Sequence, residues 1–410
     1  MDPANLQVTR YVGLDIHKRC VMVAAVDAQQ QVVLPPRRLS WEEFDRWRPQ
    51  HLRPTDAVVL EATSNAWHVY DQLAPGVASV TVANPLLLKW ISAARTKTDR
   101  HDTLKLAHLL AAGLVPAVWV PAEPVRQLRA LVSHRQRLIR QRTQARNRLH
   151  SLLHRHTLLP PEGELFSPAQ RTWWEQLDLP ASERLLVSQD LHLLDTLAPM
   201  IEQIDRQLCL ESVREPWAAQ VPYLVQHSGI GLLTAMVLLA AVGDITRFEH
   251  ASKLVGYAGL GATVDDSADT HRSGRITKQG RRELRAAMVE AAWVAVTHNA
   301  YWKALFQRLS RRLGSEKAIV AIARHMLVAV WHTWHDGELD QHADVLAIAR
   351  KMMTWAGQGG KAMRSALSAT QFVHQQLDRL GIGQDLTELR YGTHIYPLPA
   401  PHSLNVGAAG

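Results

Sequence analysis

Four acidic residues have the types and positions needed to hold a divalent metal ion. Asp15 and Glu61 each follow an apolar run, VGL before Asp15 and VVL before Glu61, whereas Asp99 and Asp102 are three residues apart where a helical pattern begins. Carboxylate oxygens are ligands that Mg²⁺ and Mn²⁺ prefer, and a close group of carboxylates repels itself unless a cation neutralises it. One or two bound ions can activate a nucleophile and stabilise a leaving oxygen on phosphate.

The surrounding elements predict an α/β domain that brings these acids together. Apolar runs predict strands at 11–15, 20–26, 31–34, 57–60 and 77–83. Helices are predicted from the Ser40 and Glu43 capping box to Arg48, near 67–73 and from Asp102 onward. In this βββαβαβα order, Asp15 and Glu61 converge if strands one and four are neighbours. Each acid alone can be explained as a turn or cap residue, or by the helix dipole, but the joint placement favours a metal site.

Composition divides the rest of the chain. Pro116, Pro121 and Pro124 mark the end of a first domain at 9–120, and three segments are predicted after it, at 121–218, 219–340 and 341–410. Residues 125–159 hold nine arginines and no acidic residue, with apolar residues at heptad-like spacing. We therefore predict a long amphipathic helix that forms an antiparallel hairpin or coiled coil with a second apolar pattern at 187–208. The third segment is predicted to be mainly helical, and the fourth to consist of helices and a poorly ordered tail.

Basic residues and two glycines are predicted to contact nucleic acid. Arg281, Arg282 and Arg285 follow Lys278 at helical spacing, and Gly229-Ile230-Gly231 resembles the turn of a helix-hairpin-helix, where backbone N–H groups hold phosphate. The full set is Lys97, Arg126, Arg129, Arg135, Arg142, Gly229, Gly231, Lys278, Arg281, Arg282 and Arg285. The alternatives are a solvated basic face and, for the arginine-rich helix, a coiled-coil strut. Arg135 and Arg142 interrupt the apolar seam and are expected to need an anion.

The bulk composition narrows the class of protein. A formal charge of +8 and a pI near 9.6 favour a polyanionic partner. No run of about 18 apolar residues occurs, and the N-terminus lacks the pattern of a signal peptide, so we expect an intracellular protein without a membrane partner. Cys20 and Cys209 have no zinc-site spacing and are expected to be buried thiols.

Six motifs, in order along the chain, resemble one family of insertion-sequence transposases. The motifs are YVGLDIHK at 11–18, LEAT at 60–63, KTDRHD at 97–102, SGIG at 228–231, GYAGL at 256–260 and ITKQG at 276–280. In this family a RuvC-like, RNase H-fold domain with a DEDD acid set precedes a serine transposase domain, and some members are recombinases guided by a bridge RNA. The resemblance implies an RNase H-like fold for 9–120, a serine transposase domain at 219–340, and Asp15, Glu61, Asp99 and Asp102 as the DEDD residues.

The resemblance also implies a serine nucleophile that forms a covalent phosphoserine link to DNA. Its distance from Lys278 assigns this role to Ser267, with Ser273 as the competitor because Ala268 stands where the family usually has glycine. The alternative is a solvated loop serine. A serine hydroxyl needs a base or metal to take its proton. Asp265, Asp266 and His271 are candidates by proximity alone, and the family suggests instead that the acidic site, from the same or another protomer, completes the centre.

The predicted function is therefore excision and insertion of a mobile element by a DNA transposase or recombinase that uses Mg²⁺ or Mn²⁺. The expected partners are donor and target DNA, a structured guide RNA, and further copies of the chain in a dimer or tetramer. The expected place of action is the cytoplasm of a prokaryote, at the nucleoid. Two alternatives remain: a metal-dependent nuclease of the Holliday-junction-resolvase type, and a nucleic-acid-binding assembly protein without activity.

Overall fold

The computed structural model describes residues 7–91, 99–267, 270–365 and 367–398, without the side chains of 89–91, 99 and 263–275. The chain forms two compact units, Met1–Pro121 and Ala122–Gly410. Among the described helices, none is long and apolar enough to cross a membrane.

A five-stranded mixed sheet is the centre of the first unit. Its strands are β1 (Arg10–Ile16), β2 (Cys20–Asp27), β3 (Val32–Ser40), β4 (Asp56–Glu61) and β5 (Ser79–Ala83). They lie in the order β3-β2-β1-β4-β5, with β1 antiparallel to β2 and parallel to β4. The first and fourth strands are therefore neighbours, which is the condition on which the convergence of Asp15 and Glu61 depends, and the predicted α/β class is confirmed.

Helices cover both faces of this sheet. They are α1 (Trp41–His51), α2 (Ala66–Leu73), α3 (Pro85–Ile91) and α4 (Asp99–Ala111). The capping box at Ser40 and Glu43 begins α1 as predicted, with both reciprocal hydrogen bonds formed. Helix α3 was not predicted. It begins at Pro85 because the Asn84 side chain accepts from the backbone N–H groups of Leu86 and Leu87, so the Asn-Pro pair starts a helix.

The alternation of side chains along the strands separates two cores. Val12, Leu14 and Leu60 point to one face, where they pack with residues of α1 and α2. Val59 points to the other face, where it packs with Leu106 of α4. Because successive side chains of a strand point to opposite faces, Gly13 lies on the α4 face too.

The second unit is mainly helical. Its helices are α5 (Glu123–Arg155), α6 (Arg171–Glu175), α7 (Ala181–Glu211), α8 (Val221–Val225), α9 (Leu232–Val242), α10 (Ala251–Ala258), α11 (Arg282–His298), α12 (Ala300–Leu313), α13 (Ser315–His335), α14 (Val345–Met363) and α15 (Ala369–Arg379). Two hairpins complete it, β6 (Ala262–Ser267) with β7 (Thr270–Ile276), and β8 (Glu388–Tyr391) with β9 (His394–Pro397).

The long helices α5 and α7 carry complementary charges. Arg135 pairs with Asp205, Arg148 pairs with Asp190, and the Arg155 guanidinium lies 3.1 Å from Glu183. Since the paired positions rise along α5 as they fall along α7, the helices are antiparallel at these pairs. Asp205 is thus an internal anion for Arg135. The arginines of 125–159, a segment without acidic residues, pair with carboxylates of α7. The knobs-into-holes packing of a coiled coil stays a prediction.

The two hairpins differ from the sequence prediction. The β6–β7 hairpin lies within the third segment, which was predicted to be mainly helical. The tail was predicted to be poorly ordered, yet its described part forms β8 and β9, and Leu389 and Leu398 are buried beside α14 and α15. Burial of these two leucines explains why a Pro- and Gly-rich segment is held in a hairpin.

Candidate functional site

Asp15 and Glu61 lie side by side at the end of adjacent parallel strands. Leu14 of β1 is paired with Leu60 of β4, and each acid is the next residue of its strand. Neighbouring strands are about 4.8 Å apart, and aligned residues of parallel strands point to the same face. Both acids are two residues beyond a residue of the α4 face, Gly13 and Val59. The two carboxylates therefore share the edge of the sheet and the face that α4 covers.

Gly13 lets α4 approach this face closely. An ideal Cβ built on Gly13 would lie 2.2 Å from the carbonyl oxygen of Thr103 and 3.0 Å from the nitrogen of Ala107. Only a residue without a side chain allows the helix backbone to lie against the strand in this way. The sequence predicted the strand, but it gave no sign that Gly13 sets the distance to α4.

The direction of α4 places its first turn beside the two acids. The far end of α4 is fixed by Gln30, whose Nε2 donates to the His108 carbonyl at 3.4 Å. Gln30 belongs to the turn after β2, at the opposite end of β1 from Asp15. Helix α4 therefore runs antiparallel to β1, and Asp99 and Asp102 in its first turn lie toward the Asp15 end. Asp99 is the first residue of α4, and its side chain lies outside the described atoms.

The described side chains include a histidine that the sequence analysis did not assign. Nε2 of His17 lies 3.1 Å from a carboxylate oxygen of Asp15. His17 is thus positioned to orient Asp15. The signal in the sequence was its place two residues after Asp15, beyond the end of the strand.

The residues at this edge fit a hard divalent cation. Asp15 and Glu61 offer carboxylate oxygens, and Asp102 is half-buried and lines a groove of about 610 Å³ with His101, Lys105 and His108. Such oxygens suit Mg²⁺ or Mn²⁺ better than softer metals. Among the described side chains, no three His, Cys, Asp or Glu residues are close enough together to bind one ion. Lys97, next to this set in sequence, lies outside the described residues.

The candidate serines lie on the β6–β7 hairpin. Ser267 is the last residue of β6 and is paired with Thr270, which places it at the turn. Ser273 is paired with Val264, nearer the base of the hairpin. The backbone pairs Asp266 with His271, but the side chains of these residues and of both serines lie outside the described atoms.

Two glycines, Gly259 and Gly280, allow the end of α10 and the segment after β7 to lie in backbone contact. A Cβ on Gly280 would lie 2.2 Å from the Tyr257 carbonyl oxygen, and one on Gly259 would lie 2.4 Å from the Gln279 carbonyl oxygen. Both glycines have positive φ, +116° and +68°. The Arg281 backbone N–H donates to the Tyr257 carbonyl at 2.9 Å. The GYAGL motif, which spans the end of α10, and the ITKQG motif, which spans the end of β7, therefore contact each other through their backbones.

Several of the predicted nucleic-acid contacts have partners within the chain. Arg129 donates to the carbonyls of Ala240 and Ala241 at 2.7 and 3.0 Å, at the end of α9. Arg285 donates to the Ala258 carbonyl at 2.9 Å, at the end of α10. These arginines satisfy the open carbonyls of helix C-termini, a role that the sequence analysis missed because the carbonyls are remote in sequence.

The remaining basic residues and glycines differ in exposure. Lys278 and Arg282 are exposed, whereas Arg126, Arg142 and Arg281 are half-buried. Burial, followed by the nearby charges of Arg146 and Arg135, lowers the pKa of Arg142. Gly231 precedes α9, and Gly229 (φ +81°) lies so close to α11 that a Cβ would be 2.1 Å from the Ala291 carbonyl oxygen. This turn is thus held against another helix.

Two family profiles of transposases match this chain, one in its N-terminal part and one further along. A family profile of DEDD transposases of the IS110 type, described as "Transposase", matches residues 12–157, and a second, described as "Transposase IS116/IS110/IS902 family", matches residues 222–307. Together they match more than half of the chain. The range matched by the DEDD profile spans Asp15, Glu61, Asp99 and Asp102, and the range matched by the second profile spans both candidate serines.

Individual relatives are named as transposases or as a gene-inverting protein. A provisionally named transposase of Sinorhizobium fredii is 29% identical over 52% of this chain, and the match spans only 51% of that relative. The transposase for insertion sequence element IS1111A of Coxiella burnetii is 24% identical over 80% of this chain and 90% of its own length. The pilin gene-inverting protein of Moraxella bovis is 26% identical over 77% of this chain and 93% of its own length.

The fold and the matched profiles define a transposase with a RuvC-like N-terminal domain. The chain belongs to the IS110/IS116 family of transposases.

Proposed function

We propose that the protein excises and inserts its own mobile element, using a metal-dependent DEDD site together with a serine nucleophile. The observation that carries this proposal is the sheet edge that Asp15 and Glu61 share, toward which the first turn of α4 is directed. Asp15, Glu61, Asp99 and Asp102 are the proposed ligands. A bound Mg²⁺ or Mn²⁺ would stabilise charge on phosphate oxygens. His17 would hold Asp15 in one orientation.

The proposed serine step is a transfer of phosphorus between oxygens. Oγ of Ser267 forms a bond to a DNA phosphorus, and one bond from that phosphorus to a deoxyribose oxygen breaks. The hydroxyl proton leaves Oγ and the departing deoxyribose oxygen takes up a proton, so no oxidant or reductant is needed. The phosphoserine link conserves the energy of the broken ester. A second deoxyribose hydroxyl then attacks the same phosphorus, the bond from phosphorus to serine Oγ breaks, and a new strand is joined. The position of Ser267 at a hairpin turn supports access by DNA.

The acid site and the serine are proposed to act together in an oligomer with DNA and RNA. Support comes from the two matched profiles: the match at 12–157 spans the proposed acids of the first unit, and the match at 222–307 spans both candidate serines of the second unit. Donor and target DNA and a structured guide RNA are the proposed partners of a dimer or tetramer. Arg126, Arg142, Lys278, Arg282 and the N–H groups of the Gly229–Gly231 turn are the proposed direct phosphate contacts. The remaining proposed contacts are Lys97, Arg129, Arg135, Arg281 and Arg285.

Covalent trapping tests the serine step. Labelled DNA containing both ends of the element is incubated with the protein and Mg²⁺, then resolved under denaturing conditions. We expect a protein–DNA adduct with wild type and with Ser273→Ala, and none with Ser267→Ala. Normal strand exchange by Ser267→Ala would contradict the assignment. If the adduct is missing in Ser273→Ala instead, Ser273 is the nucleophile.

A matched pair of variants tests the acid site. Asp15→Asn is expected to abolish cleavage, whereas Asp27→Asn, on the same sheet at the opposite end, is expected to cleave as wild type. Asp27 is a suitable control because its Oδ1 accepts from the N–H groups of Gln29 and Gln31, and asparagine keeps that oxygen. Unchanged cleavage by Asp15→Asn would contradict a metal-dependent centre. Metal-dependent cleavage by wild type with no adduct would favour the resolvase-type nuclease, in which water attacks.

Guidance by RNA has its own test. The protein is purified together with transcripts of the element's flanks, and the bound RNA is sequenced. We expect one specific transcript to be enriched. Recovery of no specific RNA would contradict guidance while leaving the serine and metal tests untouched.

A further inference from the structure

A basic helical hairpin is formed by α12 and α13. Residues 300–335 hold six lysines and arginines and one acidic residue, Glu316. Gly314, with a φ of +76°, is the single residue between the two helices, which pack against each other. Because one residue joins them and they are in contact, the helices are antiparallel.

The basic residues of each helix share a face. Arg308, Arg311 and Arg312 are three and four residues apart on α12, so they are neighbours on the helix surface. Lys317 and Arg324 of α13 are seven residues apart, which is about two turns and again one face. All five side chains are exposed.

The pKa of His325 shows that the two faces adjoin. Partial burial, followed by the charges of Arg324 and Arg308, lowers this pKa. Arg324 is the neighbour of His325 on α13, whereas Arg308 belongs to α12, so the charge of Arg308 acts across the hairpin. The five basic side chains therefore form one surface, the α12–α13 surface.

The charges of the α12–α13 surface are not balanced within the described chain. Among the residues that the structure describes, none of the five basic side chains takes part in an ion pair or a side-chain hydrogen bond. Glu316, exposed in the first turn of α13, balances at most one of the five charges. The surface thus has an excess of positive charge.

The helix dipoles account for only part of this surface. Arg311 and Arg312 lie in the last turn of α12, where a cation is favoured. Lys317 lies in the first turn of α13, where a cation is disfavoured, and Arg324 lies far from either end of that helix. Helix stability therefore does not explain Arg308, Lys317 or Arg324.

We propose that the α12–α13 surface binds the phosphate backbone of a DNA duplex, with Arg308, Lys317 and Arg324 contacting phosphate oxygens. Cations on two packed helices can follow a backbone without reading its sequence. Tyr301, the exposed aromatic residue of α12, already stacks on His342, with 3.6 Å between the ring centres. The surface therefore offers cations to a backbone rather than rings to the unstacked bases of a single strand.

The proposal adds a site to the contacts proposed above. None of its residues is among them, and the profile match at 222–307 ends directly before Arg308. It rests on the proposed function only in taking DNA as the partner. The surface commits to a duplex, and RNA is an outcome of the test.

Salt-dependent binding tests the surface without requiring strand exchange. The full-length protein is mixed in EDTA with a labelled DNA duplex of about 30 base pairs or a single-stranded RNA of about 30 nucleotides, and Kd is measured from about 50 to about 250 mM KCl. The variants are Arg308→Gln, Lys317→Gln and Arg324→Gln. Lys361→Gln, an exposed lysine in the last turn of α14, is the matched control.

Loss of one phosphate contact reduces the slope of log Kd against log salt by about 1. We expect this reduction on the duplex, with several-fold weaker binding, for each of the three variants, and the wild-type slope for Lys361→Gln. Arg324→Lys keeps the charge and should keep the slope, which separates charge from packing. Melting temperatures should stay at the wild-type value, because the three side chains are exposed.

Duplex slopes that are the same for all three variants as for Lys361→Gln would overturn the proposal. A reduced slope with the RNA alone would also overturn it, because the ligand of the surface would then be RNA. The trapping experiment with Ser267→Ala reads a covalent bond and this experiment reads an equilibrium without metal, so either proposal can fail while the other stands.

Discussion

Replacing Gly13 by alanine should separate the sheet from α4 and disable the acid site. The added Cβ would lie 2.2 Å from the Thr103 carbonyl oxygen, whereas ordinary contact begins at 3.4 Å. Helix α4 must therefore retreat by about 1 Å, carrying Asp102 away from Asp15 and Glu61. Overpacking of this kind costs roughly 1–3 kcal/mol in the free energy of unfolding. A misplacement of about 1 Å at a reacting centre can lower the rate about 100-fold.

The assay compares cleavage rate, the Mn²⁺ concentration for half-maximal rate, and thermal stability. We expect Gly13→Ala to cleave about 100-fold more slowly and to need more Mn²⁺, because α4 then holds Asp102 further from the sheet edge of Asp15 and Glu61. Gly76→Ala is the matched control in the same unit, since a Cβ there meets nothing within 4 Å. Cleavage by Gly13→Ala within about threefold of wild type at the same Mn²⁺ concentration would refute the inference that α4 completes the site.

Three further predictions concern the second unit. Burial lowers the pKa of Lys351 from 10.5 to about 7, so between these pH values the unfolded chain binds a proton that the folded chain does not. Relative to Lys351→Met, the free energy of unfolding should therefore rise with pH by at most about 1.4 kcal/mol per unit, and a flat difference in urea titrations would contradict this. Gly229→Ala should lower the melting temperature and weaken DNA binding, because its Cβ would lie 2.1 Å from the Ala291 carbonyl oxygen at a φ of +81°. Asp205→Asn should cost at most about 1 kcal/mol, since its pair with Arg135 is partly exposed, and should tighten nucleic-acid binding by freeing that arginine, which a filter-binding titration checks.

Patterns within short stretches of sequence predicted the strands and the helix start that depend on neighbouring residues. The apolar runs before Asp15 and Glu61 became β1 and β4, and the Ser40 and Glu43 capping box began α1. The two strands could also be predicted as neighbours, because the order of elements limits the topology. Helix α3 was missed because an Asn-Pro pair usually marks a turn, whereas the Asn84 side chain caps a new helix there.

The charged residues were harder to assign, because their partners are remote in the chain. The nine arginines of 125–159 indicated a surface for nucleic acid, yet Asp205, Asp190 and Glu183 of α7 neutralise three of them. Arg129 was grouped with the phosphate contacts, although its nearest acceptors are carbonyls more than a hundred residues away. Spacing reports only neighbours on the same helix, so it cannot identify such partners.

By itself, the sequence determined the family and the two strands at whose ends Asp15 and Glu61 lie, and it predicted four acids as one site. These features depend on residue type and on short-range order, which periodicity records directly. The tertiary structure decided two matters: how closely α4 lies to Gly13, and which arginines are held by internal acceptors. Each depends on contacts between segments far apart in sequence, and only the packed backbone fixes those distances.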